Sequence, residues 1–309
     1  MTIPRLGARA AMPEALHGAV IALGNFDGFH AGHQAVAGEA IAWARAQGRP
    51  AIIATFDPHP VRYFAPQSPP FRLTSLDQRQ DLFAAAGADA MLVFAFDAEL
   101  AATSAEGFVA DLIGARLGAA GVVTGADFTF GQGRAGNVAR LAHFGAAVGI
   151  AARTVSPVGD HGEIVSSSRI RTALQAGDCT TAAQLLTRPF TIRGTVEHGD
   201  KLGRTINFPT ANLALGSYLR PRYGIYAVKA RLPDGRMVDG AANLGIRPSF
   251  DPPKELLEPH LFDFESDLYG QEIEVELHAF LRPEAKYDTL EALTAQIARD
   301  CEAARAVLA

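Results

Sequence analysis

The sequence predicts two domains, an α/β domain with a doubly wound parallel sheet followed by a mostly antiparallel β-barrel with a terminal helix. Three observations lead there. At 309 residues the chain is longer than most single domains. From residue 18 to about 155, short β-rich runs alternate with helical segments, the pattern of a parallel sheet covered by helices. From Phe190 onward the strands follow one another with turn signals between them. The boundary falls near residue 187, dividing the chain into 1–187 and 188–309.

The first element is the apolar run Val20-Ile21-Ala22-Leu23, which reads as a buried strand. After it comes GNFDGFHAGH, then QAVAGEAIAWARAQG, where Val36, Ala40, Ile41 and Ala44 recur on one helical side. His30 and His33 therefore sit at a strand-to-helix junction. The first turn of a helix has unpaired N–H groups and the positive end of its dipole, which favour an anion such as phosphate. Imidazoles there add donors, Gly32 leaves room for a close backbone approach, and Gly24 and Gly28 allow a tight turn. The same spacing also suits an ordinary βα unit. Two histidines three apart can share a metal as well, although no third ligand is identifiable nearby.

The alternation continues through PAIIATF, SLDQRQDLFAAAGA, DAMLVFAF, SAEGFVADLIGARLGA, AGVVTG, VARLAHFGAA and IAARTV. In such sheets ligands bind beyond the C-terminal ends of the strands, where GNFDGFHAGH lies. GADFTFGQGRAG is a second loop at that edge, and its Asp127 and Arg134 offer polar contacts. VSSSRIRTALQAGD sets three serines with Arg169 and Arg171 at a helix start, a combination suited to a polyphosphate. The alternative is that Ser168 caps the helix and the arginines are solvated.

In the second half, FTIRGTVEHG, GIYAVKARL, the turn PDG, RMVDGAANLG, LEPHLFDF and EIEVELHAFL read as strands of a small barrel. In the last, Ile273, Val275, Leu277 and Ala279 alternate with Glu272, Glu274, Glu276 and His278. HGDKLGRTINFPTANL carries Gly199 and Gly203, whose backbone can drape over a nucleotide, and then Thr210 and Asn212, whose oxygens suit the shell of Mg2+. A β-hairpin with a tight turn accounts for the same residues. Glu258 is a carboxylate in an apolar stretch, either a general base or a solvent-facing strand position. The chain closes with a helix in which Asp288 and Glu291 have capping-box spacing. Leu290, Leu293, Ile297, Cys301, Ala304 and Leu308 form its stripe toward the barrel.

Composition narrows the function classes. Hydrophobic residues at 48% and charged residues at 20% describe an ordinary globular protein. A net charge of -5 argues against general nucleic-acid binding. Cys179 and Cys301 both fall in helical stretches, so disulfide scaffolding is not expected and a reducing compartment fits. The N-terminus lacks the basic-then-apolar pattern of a secretory signal, and no apolar run reaches the length of a membrane span. A cytoplasmic protein with no membrane association is the expectation.

Taken in order, GNFDGFHAGHQ, TFDPHP, GADFTFGQGRAG, SSSRIRTALQAGD, GRTINFPTANL, YGIYAV, NLGIRPSF and DFESDLYGQEI resemble the prokaryotic bifunctional riboflavin kinase and FAD synthetase family over almost the whole chain. The resemblance implies a nucleotidylyltransferase-like first domain that transfers AMP from ATP to FMN, giving FAD and pyrophosphate. It implies a second domain that phosphorylates riboflavin to FMN with ATP, and Mg2+ for both steps. It maps His30 and His33 onto an HxGH pair that contacts ATP phosphates, with Gly24, Asn25, Asp27 and Gly32 in the same loop. Ser166, Ser167, Arg169 and Arg171 match the triphosphate segment, and Asp127 a loop that approaches flavin or nucleotide. In the kinase, Thr210 and Asn212 match the metal and phosphate site, Lys201 and Gly203 the flanking nucleotide loop, and Glu258 the base for the riboflavin hydroxyl.

This chain departs from the family pattern at Ser168 for Thr, Ile206-Asn207 for Leu-Gly, and Ser249 for Thr. Two other readings stand beside the family's. A one-reaction nucleotidylyltransferase leaves the PTAN segment and Glu258 unexplained, and a flavin-binding module predicts bound flavin without ATP turnover.

Overall fold

Six short runs pair as one wholly parallel sheet: β1 (Arg5–Gly7), β2 (Val20–Leu23), β3 (Ala51–Asp57), β4 (Ala90–Ala95), β5 (Gly121–Gly125) and β6 (Ala151–Val155). They belong to a computed structural model that describes residues 2–160, 162–198, 208–247 and 254–309. The order across the sheet is β1-β4-β3-β2-β5-β6. From β2 the chain steps out through β3 and β4, then returns to lay β5 on the other side of β2. The direction of winding reverses between β2 and β5, and such a reversal opens a crevice at the carboxyl ends of the two strands.

Both faces of this sheet are covered, so β2 and β3 are apolar nearly throughout rather than alternating. On one face Val20, Ala22, Ile53, Met91 and Val123 pack with Val36, Ala40 and Trp43 of α1 (Ala31–Ala46). The short α2 (Pro60–Phe64) follows β3, and α3 (Leu76–Ala86) adds Phe83 to that face. On the other face, residues of opposite strand parity such as Ile21, Leu23, Ile52, Leu92 and Val122 meet Phe108, Val109, Ile113 and Leu141. These come from the segment after α4 (Ala98–Ala102) and α5 (Ala105–Gly107), and from α6 (Val138–Ala147).

SAEGFVADLIGARLGA, read as one helix, opens as α5 and widens into a π-helix over Phe108–Arg116. Gly107 and Gly114 within it weaken the preference for a regular α-helix there. A small hairpin of β7 (Gly159–Asp160) and β8 (Glu163–Ile164) ends the unit.

By contacts the chain forms two compact units, Met1–Ser68 with Leu76–Val165, and Pro69–Ser75 with Ser166–Ala309. After its Pro69–Ser75 segment, the second contains α7 (Ser167–Ala176) and α8 (Cys179–Leu186). Its sheet is wholly antiparallel and contains β9 (Phe190–Thr195), β10 (Leu213–Ala214), β11 (Gly224–Arg231), β12 (Met237–Arg247), β13 (Lys254–Leu261) and β14 (Glu272–Arg282). The order is β10-β13-β12-β11-β14-β9. A bridge between Glu197 and Asn212, with Glu197 N–H donating to the Asn212 carbonyl at 2.9 Å, brings the two edges together. The sheet is thus a nearly closed barrel.

In β14, Ile273, Val275 and Leu277 are buried, and the intervening Glu272, Glu274 and Glu276 are not, as the alternation predicts. The terminal helix α9 (Leu290–Leu308) packs Ala304, Cys301 and Leu308 against Ala227, Ala241 and Phe262. Two expectations for it change. Leu290, the first residue of the stripe, stays about half exposed. The cap is Thr289, whose hydroxyl accepts from Ala292 N–H at 3.1 Å, so the Asp288–Glu291 box does not form. The helix starts at Leu290, which puts Asp288 one residue too early to reach a free N–H.

Candidate active sites

The loop from Gly24 to His30 leaves the carboxyl end of β2 at the reversal of the parallel sheet. It is built from unusual backbone: Phe26 and Phe29 have positive φ, at 49° and 42°, as does Gly28 at 86°. Aromatic residues hold this conformation only where packing over-determines it. Both rings are buried, and both meet Phe83 edge-on, at 5.8 and 5.0 Å between centroids. Above Gly24 lies the Phe26 ring, 3.2 Å from where a Cβ would stand. Asp27 is buried in the same loop.

His30 is the N-cap of α1, and its Nδ1 accepts a long 3.4 Å hydrogen bond from His33 N–H. The two imidazoles stack at 3.6 Å with planes 18° apart. One helix start therefore presents two rings together with the positive end of its dipole. The space a Gly32 side chain would need is taken by the His30 ring, 3.2 Å from a Cβ there. The Asn25 side-chain Oδ1 is buried with no hydrogen-bond partner among the described residues, an acceptor open to a donor on a ligand.

Beside this loop, the segment after β5 carries Asp127, exposed at the end of the neighbouring strand. Arg134 donates to the Thr129 hydroxyl at 3.0 Å and so braces its own loop.

In the second unit, Ser166 caps α7 by accepting from Arg169 N–H at 3.3 Å, one of the roles considered for Ser168. Ser167 opens the helix. Arg171 donates from Nε to the Phe71 carbonyl at 2.8 Å and lies 5.2 Å above the Phe71 ring.

The PTAN segment runs beside β13. Ala211 N–H donates to the Pro259 carbonyl at 3.0 Å, and His260 Nδ1 donates to the Pro209 carbonyl at 2.8 Å. Leu213 pairs with Leu257, and the same register one residue back sets Asn212 opposite Glu258. On the other side of β13, Asn243 of β12 pairs with Glu258. Cross-strand partners share a face, so two carboxamides flank one carboxylate.

Asn243 Nδ2 donates to Glu258 Oε2 at 3.5 Å, and Arg247 forms an ion pair with the same oxygen. Among the described residues Oε1 has no hydrogen bond. Asn243 Oδ1 is buried without a partner among the described residues. Arg247 also reaches Glu284 at 3.5 Å. Thr210, two residues before Asn212, is half-buried. Lys201, Gly203, Ile206-Asn207 and Ser249 lie outside the described residues.

A second carboxylate on β13, Glu255, has the opposite strand parity and faces away from Glu258. A hydrogen bond from Arg220 holds it below the usual carboxylate range despite burial, and Tyr223 adds a further bond. Burial first, and then Glu255, push Tyr223 up to about 12. These groups serve each other and not the Glu258 cluster. Asn243 and Arg247 are the residues that sequence reasoning missed here. Asn243 within the apolar run from Gly240 to Ile246 was the available signal.

A family model described as FAD synthetase matches residues 12–169, and one described as riboflavin kinase matches 186–308. Bifunctional riboflavin kinase/FMN adenylyltransferase of Escherichia coli K12 is 38% identical over 92% of this chain and 90% of its own length. The protein of that description from Haemophilus influenzae is 38% identical over 94% of both chains, and that from Bacillus subtilis 38% identical over 91% and 90%. Among solved structures, one from Streptococcus pneumoniae described as a macrolide-efflux protein aligns with a TM-score of 0.87 at 29% identity, covering 98% of this chain and 99% of its own. No described helix of the present chain is long and apolar enough to cross a membrane.

Proposed function

The chain belongs to the bifunctional riboflavin kinase/FMN adenylyltransferase family, and from that premise we infer that it makes FAD in two ATP-dependent steps. It phosphorylates riboflavin to FMN, and it transfers AMP from ATP to FMN with release of pyrophosphate. Riboflavin, FMN and ATP are its substrates, and FAD its final product.

For the adenylyl transfer, the observation that carries the reading is the His30–His33 stack at the start of α1. The FMN phosphate attacks the α-phosphate of ATP directly, so no protein nucleophile is needed. Catalysis is then positioning and charge stabilisation, which two imidazoles and a helix N-terminus supply. Gly24, Asn25, Asp27 and Gly32 shape that loop. Ser166, Ser167, Arg169 and Arg171 are assigned to triphosphate binding, and Asp127 to the approach of the flavin.

For the kinase, the flanking of Glu258 by Asn212 and Asn243 carries the reading. Glu258 takes the proton of the riboflavin 5'-hydroxyl as it attacks the γ-phosphate. Arg247 and Asn243 both engage Oε2, which leaves Oε1 to accept that proton. Lys201 and Gly203 are assigned to the nucleotide loop.

Thr210 and Asn212 offer two neutral oxygens, and no cluster of three His, Cys, Asp or Glu among the described residues could hold a metal. That donor set fits Mg2+, which keeps waters and takes phosphate oxygens rather than occupying an all-protein cage. When bound, Mg2+ neutralises charge on the transferring phosphates. The activities are proposed to divide at 187/188, supported by a kinase model match that begins at 186. The cytoplasm, where ATP is abundant, is the proposed compartment.

Incubating the protein with riboflavin, ATP and Mg2+ and separating the flavins over time tests the whole reading. FMN should appear first, then FAD with pyrophosphate. A single-reaction nucleotidylyltransferase would leave riboflavin unchanged but convert supplied FMN, and a binding module would convert neither.

A further inference from the structure

Arg79 lies in the middle of α3 and is 2% exposed, one of the largest fully buried side chains. A guanidinium taken out of water needs acceptors with good geometry, because leaving it unpaired is costly. Its Nη1 donates to the Asn25 carbonyl at 3.2 Å and to the Thr55 hydroxyl at 2.8 Å. The Thr55 hydroxyl donates in turn to the same Asn25 carbonyl at 2.7 Å. One backbone oxygen is thus gripped from α3 and from β3.

That oxygen precedes Phe26, the first residue of the loop with positive φ. Four residues after Arg79 and on the same helical face, Phe83 packs edge-on against Phe26 and Phe29. Phe26 in turn meets the His33 ring edge-on at 5.3 Å, and His33 stacks on His30. A continuous line of contacts runs from α3 through the strained loop to both imidazoles.

We propose that Arg79 is a positioning residue for FMN adenylyl transfer, fixing the His30–His33 pair through the Asn25 carbonyl, with Thr55 as its second anchor. Arg79 touches no substrate in this account. The inference rests on the assignment of His33 to adenylyl transfer, and the experiment separates the two.

The full-length variants Arg79→Met, Arg79→Lys, Thr55→Val, His33→Ala and the double variant Arg79→Met/His33→Ala are assayed for FAD formation from supplied FMN and ATP. FMN formation from riboflavin and thermal unfolding are followed in the same preparations. A displaced catalytic group costs up to about 100-fold, so Arg79→Met should lower kcat of adenylylation at least about tenfold, with FMN formation unchanged.

Arg79→Lys keeps the charge and one donor and should recover part of the loss. Thr55→Val should move kcat in the same direction, and it carries the test should Arg79→Met not fold. Residues acting as one unit are non-additive, so the double variant should be no slower than His33→Ala. A merely structural arginine would lower the unfolding temperature while leaving kcat per folded molecule intact, or would multiply with the His33→Ala loss. Either result overturns the inference while the His33 assignment stands. A silent His33→Ala overturns both.

Discussion

The His30 and His33 rings stack at 3.6 Å, so under the proposed reading one phosphate would meet both imidazoles. Replacing both with Ala should therefore lower FAD formation from FMN by at least about 100-fold, the scale seen when charge-stabilising donors are lost. FMN formation from riboflavin should survive, since Glu258 and the PTAN segment belong to the other unit. Wild-type FAD formation in that variant would remove the histidines from the site. Glu258 allows a sharper substitution. Glu258→Gln keeps the size and one hydrogen-bonding oxygen but loses basicity. General-base contributions are typically about 10²- to 10⁴-fold, so kinase turnover should fall about a hundredfold with the KM for riboflavin little changed. Late proton transfer in a loose phosphoryl transition state would shrink that loss. A drop below about threefold would leave Glu258 as a strand residue paired with Arg247 and nothing more.

Elements place these residues, and their ends decide the details. At α9 the cap is Thr289, so Thr289→Ala should cost about 1 kcal/mol of stability and Asp288→Ala clearly less. Urea unfolding of the two variants measures the difference, and an equal loss would return the cap to Asp288. The PTAN segment is held along β13 by Ala211 and His260, so Thr210→Ala or Asn212→Ala removes an oxygen without releasing the segment. Each should raise the Mg2+ concentration needed for half-maximal kinase rate and leave adenylylation of FMN intact. Unchanged Mg2+ titrations in both would reject the metal reading. What was legible in the sequence follows from the same elements. The period of two in β14 and the strand–glycine turn–helix order around His30 are local patterns, and local patterns survive in a string of letters. Arg79 was not legible because SLDQRQDLF reads as a polar helix face, and only the packing of α3 onto the Asn25 loop buries it. Asn243 matters through its register with Glu258 and Arg247 through an ion pair to it, both formed across a strand pair that the order of residues does not announce.

At the scale of the molecule, two activities share one chemical, FMN, as product of the kinase and substrate of the adenylyltransferase; the His30–His33 loop lies in one compact unit and Glu258 in the other, while Ser166, Ser167, Arg169 and Arg171, assigned to adenylyl transfer, fall in the unit of Glu258. No residue assigned to adenylyl transfer is asked to act in the kinase, and none of the kinase residues in adenylyl transfer. The two sites therefore need not reside in the same molecule if FMN passes through solution. This yields a test with two inactive halves. Glu258→Gln given riboflavin should make little FMN and hence little FAD, while the His30→Ala/His33→Ala variant should accumulate FMN and stop there. An equimolar mixture of the two, given riboflavin, ATP and Mg2+, should make FAD after a lag in which free FMN builds up. The lag should shorten as the His30→Ala/His33→Ala variant is increased, because that variant alone supplies FMN. Once FMN is saturating, the FAD rate should equal that of Glu258→Gln supplied with FMN directly. If the mixture makes FMN but no FAD, while Glu258→Gln converts added FMN, the product of the kinase does not reach the second site through solution at working concentration, and the two reactions are coupled within one chain.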